Sequence, residues 1–419
     1  MKTFALVDCN NFYASCERVF DPSLKDRAIV ILSNNDGCII ARSNEAKSLG
    51  IPMGTPVFKQ KAVIKKHNVA VFSSNYQLYG DMSKRVMDSL SLFTPDMEVY
   101  SIDEAFLRLD YLQPRNLHEY CKTIRAKVLQ WTGIPVSIGI GPTKVLAKIA
   151  NHVAKKQIDV GVYDIQCQQK QDAILKSLDI DKIWGIARSW SERLNNMSIY
   201  NASELRDASP SIIRKHLSVV GERILRELKG QSCIDLETIQ PKKNIMSSKS
   251  FGKSLTKKEP IEEALSNYAA RACEKLRKQN SRAQAVHVFI QTNSFRETDS
   301  QYNNAITHTL TTPTSDTRII IKLAKLCLSR IYRNGYRYKK AGIMLMDLIP
   351  TSLEQKQLFV DFNHHPSDHL MNLVDRVNKD HGPDTLFFGA QGVTREWKMR
   401  CRLRSPRYTT QWDELLIVG

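Results

Sequence analysis

Twice along the chain the strand and helix signals run β-α-β-β-α-β, and this repeated order constrains the fold more than any other feature. In the amino-terminal copy, Phe4-Ala5-Leu6-Val7 reads as a buried strand that stops at Asp8. Asn10 serves as a helix cap, and Phe12, Tyr13, Cys16 and Val19 follow at helical spacing. Two strands around Asp103, a helix over 116–131 and the apolar strand Val136-Ser137-Ile138-Gly139-Ile140 complete the set, once an intervening section from about 20 to 75 is set aside. The second copy runs through a strand at 246–255, a helix at 261–279, strands at 285–292 and 305–311, a helix at 316–332 and a strand at 341–348. Each copy matches the ferredoxin-like plan, so the expected class is α+β with several domains.

Between the copies the composition turns polar after Gly161, and Ile183-Trp184-Gly185-Ile186-Ala187 sits between two amphipathic segments. That pattern predicts a helical domain over 168–237 containing a helix-hairpin-helix, whose turn offers backbone N–H groups to a phosphate. Ala187 stands where a second glycine is usual, which puts close approach there in question. Pro241, Lys242 and Lys243 mark a linker, and from Pro350 the chain is irregular.

Net charge is +18, from 61 Lys and Arg against 43 Asp and Glu, which suits a polyanionic partner. No apolar run approaches the ~20 residues of a spanning helix. The nine cysteines contain no Cys-x-x-Cys pair, and their scatter fits a reducing cytoplasm rather than a disulfide framework.

Within this frame Asp103-Glu104 is the feature that carries chemistry. Val99 to Ile102 and Ala105 to Leu109 read as strands, the second half-buried by alternation, so the carboxylates fall where a hairpin turns. Asp-Glu is poor turn chemistry, and a locally unfavourable choice is common at functional sites. Asp8 leaves the first strand as a third carboxylate. Three such groups at strand ends repel one another unless a divalent cation holds them, and hard oxygen ligands suit Mg²⁺ or Mn²⁺. Gly139-Ile140-Gly141-Pro142-Thr143-Lys144 lacks both the third glycine of a dinucleotide fingerprint and the ending of a Walker A loop. Pro142 suits the first turn of a helix, along which Lys144, Lys148, Asn151 and Lys155 form one stripe.

Asp8-x-Asn10-x-Phe12-Tyr13, Ser33-Asn34-Asn35-Asp36-Gly37-Cys38 and Ser101-Ile102-Asp103-Glu104-Ala105, in that order, resemble the Y-family translesion DNA polymerases, and in particular the UmuC-type catalytic subunits of bacterial polymerase V. The similarity runs from Phe4 to Thr410. It implies a palm at 1–165 with fingers inserted at about 20–75, a thumb at 168–237, a little finger at 245–349 and a tail at 350–419. It implies two Mg²⁺ ions on Asp8, Asp103 and Glu104, with the Cys9 backbone carbonyl as a further ligand. Tyr13 would exclude a 2′-hydroxyl, and Asn44, Lys47 and Lys155 would approach the incoming dNTP, although many relatives carry Tyr where Asn44 stands. Gly185, Ala187, Lys249 and Ser250 would meet DNA. Gln355, Leu358 and Phe359 resemble a sliding-clamp anchor. The implied partners are primer-template DNA, a cleaved UmuD dimer, the RecA filament and the clamp. His364, His365 and His369 have metal-compatible spacing but no second ligand cluster. Arg400, Arg402, Arg404 and Arg407 make a basic end facing DNA or protein. A nucleotide cyclase would share the carboxylates but not two DNA-gripping domains, and a non-catalytic DNA-binding protein would not need the carboxylates.

Overall fold

The computed structural model describes residues 2–110, 116–156, 160–237, 240–353 and 366–416. The chain divides into two compact units: Met1–Ser33, Gly37–Thr238 and Leu403–Gly419 make the first, and Asn34–Asp36 with Ile239–Arg402 make the second.

In the first unit β1 (Phe4–Cys9) leads into α1 (Phe12–Phe20) through Asn11, which adopts a left-handed conformation. Asn11, not Asn10, occupies the cap position; the Asn10 side chain accepts instead from Ser137 Oγ at 2.8 Å. The intervening section carries a small sheet of order β3-β2-β4, built from β2 (Ile29–Leu32), β3 (Ile39–Arg42) and β4 (Ala70–Ser73). Helices α2 (Asn44–Ser48) and α3 (Lys61–Lys66) lie between β3 and β4. Ala41 and Arg42 belong to β3, and α2 follows Ser43, whose hydroxyl accepts from the Ala46 N–H.

After α4 (Tyr76–Ser91) come β5 (Met97–Val99), β6 (Glu104–Arg108), α5 (Leu117–Thr132), β7 (Val136–Gly141), α6 (Lys144–Ala154) and β8 (Val162–Asp164). The sheet order β5-β6-β1-β7-β8 places the first strand at the centre, a ferredoxin-like sheet with one parallel edge strand added. One face packs on α1, α4 and α5 through residues such as Cys16, Met82 and Ile124. The other face meets α6, where Phe4, Leu6, Phe106 and Ala147 are fully buried. Ala105, Phe106 and Leu107 are therefore all buried, and the half-buried strand expected from alternation is covered on both sides. Gly139 and Gly141 explain how α6 lies so close. A Cβ at Gly139 would overlap Asn151 N and Ala147 O, so these glycines admit a helix rather than a nucleotide. The far side of α6 packs on α7 (Gln168–Ser177), α8 (Arg188–Asn195), α9 (Ala202–Asp207) and α10 (Pro210–Leu228).

The second unit contains β9 (Ile245–Leu255), α11 (Lys258–Lys278), β10 (Ser281–Thr292), β11 (Asn303–Thr314), α12 (Thr317–Ile331) and β12 (Tyr338–Pro350). The element order is the expected one, but the sheet order is β11-β10-β12-β9, which puts the first strand on an edge. Helices α11 and α12 cover one face. The tail helix α13 (Pro366–Asp380) joins this unit, its Asp375 held by Arg277 at 2.6 and 2.7 Å. The tail is thus divided, its last residues from Leu403 belonging to the first unit.

Candidate active site

Asp8 and Glu104 face each other in register across the central β1–β6 pair. The turn between β5 and β6 comprises Tyr100 to Asp103, so Glu104 opens a strand and only Asp103 lies in the turn. Ser101 fixes that turn: its hydroxyl donates to Asp103 Oδ1 at 2.6 Å and accepts from the Asp103 and Glu104 N–H groups. The Cys9 N–H donates to the Asp103 carbonyl at 2.8 Å, which sets the Cys9 backbone beside the turn. Its thiol is buried and pushed up by that burial and by Asp8 and Asp103.

The stripe along α6 is engaged by the protein itself, with Lys144 and Asn151 buried, Lys148 part-buried and Lys155 exposed. Lys155 Nζ lies 2.6 Å from Asp8 Oδ2, and Lys148 Nζ lies 2.9 Å from Glu104 Oε2. Lys148 also sits over the Tyr100 and Trp184 rings, 4.5 and 5.3 Å from their centroids. Asn151 is buried, donating to the Leu6 and Ser137 carbonyls, and buried Lys144 pairs with Glu98. Burial pushes the Asp8 carboxyl up to about 7, against the pull of Lys155. Burial also opposes charge on Glu104, but its hydrogen bond with Asp8 and the Lys148 pairing outweigh it and leave that group below the usual range.

Among the described residues no three His, Cys, Asp or Glu side chains converge tightly enough to cage a metal as they stand. Two ammonium groups instead hold one oxygen each of Asp8 and Glu104. The donor set itself fits a hard divalent cation: carboxylate oxygens, one of them buried deeply enough to resist ionisation without added positive charge. The sequence alone assigns no role to Lys148; its spacing of seven from Lys155 is the signal that places both on one side of α6.

Asn44 and Lys47 come together at the start of α1 with a residue the sequence did not single out, Asn11. Lys47 Nζ donates to Asn11 Oδ1 at 2.6 Å and Asn44 Oδ1 at 3.2 Å, and Asn11 Nδ2 donates to Asn44 Oδ1 at 3.1 Å. Burial lowers the Lys47 pKa, and the positive charges of Arg42 and Lys155 lower it further, so the three cations share one neighbourhood. Tyr13 projects from α1 and stacks on Tyr79, centroids 4.5 Å apart at 16°, with Tyr76 edge-on at 6.1 Å.

In the helical segment Gly185 has φ +91, and a Cβ there would lie 2.8 Å from Ile224 Cδ1, so glycine is needed. Ala187 has φ −85 and ψ 170 at the start of α8, ordinary extended backbone that needs none. In the second unit Ser250 pairs with Lys340 across β9 and β12, and its carbonyl accepts from Asn35 Nδ2 at 3.1 Å. Lys249 is opposite buried Ala341, leans toward Arg271 and Lys275 of α11, and has its pKa lowered by burial and then by those two cations. Gln355, Leu358 and Phe359, with His364 and His365, lie outside the described residues. Asp368 pairs with Arg282 at 2.7 Å. Arg407 is engaged by Glu414 at 2.6 Å.

Three family models match the chain. The impB/mucB/samB family covers residues 7–152, the C-terminal domain of that family covers 242–358, and a domain of unknown function covers 368–418. Protein UmuC of Salmonella typhimurium strain LT2 is 46% identical over 99% of this chain and 100% of its own. Protein SamB of Salmonella typhimurium is 42% identical over 98% of each. Among solved structures, a Y-family DNA polymerase chimera of Dbh and Dpo4 superposes with a TM-score of 0.67 at 21% identity, covering 83% of this chain and 99% of that one.

Proposed function

Because the chain belongs to the impB/mucB/samB family and is a UmuC-type translesion DNA polymerase of the Y family, dependent on a divalent metal, we propose that Asp8, Asp103 and Glu104 are its catalytic carboxylates. The observation that carries this reading is the in-register pairing of Asp8 with Glu104 on the central strands, with Asp103 in the adjoining turn. We read 1–165 as the palm with fingers inserted at about 20–75, 168–237 as the thumb, 245–349 as the little finger and 350–419 as the tail.

These residues would hold two Mg²⁺ ions, with the Cys9 backbone carbonyl as a further ligand. When bound, such ions lower the pKa of the primer 3′-hydroxyl and neutralise charge on the triphosphate and the departing pyrophosphate. Asp8 and Asp103 orient the reacting groups, and Glu104 completes the side that faces the primer. Lys155, Lys47 and Arg42 supply positive charge where the dNTP phosphates enter, while Asn44 and Asn11 hold Lys47 in place. Lys148 keeps Glu104 ionised. Tyr13 lies under the sugar and excludes a 2′-hydroxyl by contact. Backbone groups at Gly185 and Ala187 meet a duplex phosphate, and the β9 edge at Lys249 and Ser250 meets another. Gln355, Leu358 and Phe359 anchor the sliding clamp, and a cleaved UmuD dimer and the RecA filament are the further partners of a cytoplasmic enzyme. No helix among the described residues is long and apolar enough to cross a membrane.

The test is Mg²⁺-dependent primer extension past a template abasic site, by wild type and Asp103→Ala, with UmuD and RecA present. Loss of roughly 10³-fold or more in rate, with DNA binding retained, is expected for a group that holds charge in the transition state. Equal extension by both would reject the assignment.

A further inference from the structure

In the first unit the end of the tail reaches the ring on which Tyr13 rests. Tyr79 is fully buried, and its hydroxyl donates to Glu17 Oε1 at 2.6 Å. The same oxygen accepts from Ser405 Oγ at 3.0 Å. Ser405 is itself held by Asn75, whose Nδ2 donates to Ser405 O and Oγ, each at 3.0 Å, and to Pro406 O at 3.1 Å. Three residues on, Tyr408 stacks on Phe20 of α1, with centroids 4.8 Å apart at 16°. Glu17, Tyr79 and Ser405 are at most 6% exposed.

This arrangement costs free energy unless each member is satisfied. Among the described residues no cation pairs with Glu17, so its carboxyl depends on the hydroxyls of Tyr79 and Ser405. Burial pushes the Glu17 carboxyl up, and those two donors only partly offset it. Removing the tail hydroxyl leaves Tyr79 as the remaining donor to Glu17, so a shift of the carboxyl pulls on Tyr79. Tyr79 is the ring stacked beneath Tyr13, so a displacement there passes directly to the surface that meets the sugar.

We propose that Ser405 is a positioning residue for sugar selection: through Glu17 and Tyr79, the tail fixes the height and tilt of the Tyr13 ring and so sharpens exclusion of ribonucleotides. This rests on Tyr13 being the surface that excludes the 2′-hydroxyl. The chemistry asks for a rigid floor, because the difference between the two sugars is one oxygen atom. A ring free to move by a fraction of an ångström makes room for it.

The experiment measures kcat/KM for a dNTP and the matching rNTP on one primer-template, with the full chain and its accessory partners. The variants are Ser405→Ala, Ser405→Thr, Tyr79→Phe and Tyr13→Ala. Ser405→Ala and Tyr79→Phe should each lower the dNTP-to-rNTP ratio by about fivefold, the scale of one weakened buried hydrogen bond. The change should come from a gain in rNTP use rather than a loss in dNTP use, and Ser405→Thr should keep the wild-type ratio. Should Ser405→Ala fail to fold, Tyr79→Phe carries the test, since it keeps the stacked ring and removes only the bond to Glu17. If Tyr13→Ala collapses the ratio while Ser405→Ala and Tyr79→Phe leave it unchanged, or lower both substrates equally, the tail contact is merely structural and the proposal is overturned. If Tyr13→Ala itself leaves the ratio unchanged, the reading of Tyr13 fails and the proposal fails with it.

Discussion

The two sheets use one order of elements and arrive at opposite surfaces. In the first, β1 is central, covered by α1, α4 and α5 on one face and by α6 on the other, and it carries buried Asp8 opposite Glu104. In the second, β9 is an edge, helices among the described residues cover one face, and the other carries Ser248, Ser250, His287, Lys340 and the buried ring of Phe289. A central strand covered on both faces keeps solvent from its end and can tune a carboxylate, whereas an open sheet has room for a long polyanion but little means of shifting a pKa. The place of the first strand in the sheet, not the succession of elements, decides which is possible.

Adding a methyl group to each sheet tests how differently they are built. Gly139→Ala sets a Cβ against the backbone of α6, which has nowhere to move, so a cost above ~3 kcal/mol is expected, seen as loss of the folded first unit in thermal melts. Gly342→Ala meets Phe289 Cζ, the tip of a ring that can turn aside, and Ser248 Cβ, which moves only with the edge strand β9, so a smaller cost of about 2 kcal/mol is expected. Equal costs would mean that the second face is as tightly covered as the first.

The element order and the three carboxylates were legible because periodicity and charge at a strand end are local signals. The strand orders were not, since they depend on which edges pair after collapse. The turn was misplaced by one residue because the Ser101 side chain builds it from Tyr100 to Asp103, which no two-residue hairpin rule anticipates. Alternation at Ala105 to Leu109 suggested one wet face because α6, the element that dries it, lies some forty residues later in the chain. The pairing of Lys148 with Glu104 is not a local signal either, since it exists only because the glycines at 139 and 141 admit α6 onto the sheet.

A second difference is the response to pH without metal. Asp8 titrates near 3.8 unfolded and about 7 folded, so between those values the folded chain holds more protons, and its stability falls as pH rises. Burial works against Asp316 and Asp384 in the second unit too, yet hydrogen bonds from Arg318 and Arg395 outweigh it and hold both below the usual range. Their contribution is present above the unfolded pKa and is lost only as pH falls through the lower folded values. Between about pH 5 and pH 7, hydrogen exchange in metal-free buffer should show β1 losing about 1–2 kcal/mol of protection while β10 stays level. Asp8→Asn should flatten the first profile. A fall in both units would mean that the burial of Asp8 is not what separates them.

The smallest effect tests the open face. Lys340 lies on it beside Phe289, 5.7 Å from the ring centroid, whereas Lys249, one residue before Ser250 in β9, leans the other way toward α11. If the open face grips DNA, Lys340→Ala should reduce the slope of log affinity against log salt by about 0.9, the loss of one phosphate contact, and weaken binding a few-fold at moderate salt. Lys249→Ala should leave the slope unchanged, because the contact at that position belongs to the backbone. A slope that moves with Lys249 and ignores Lys340 would place the DNA on the helical side. In that case the contrast between a covered sheet for chemistry and an open sheet for grip would not hold.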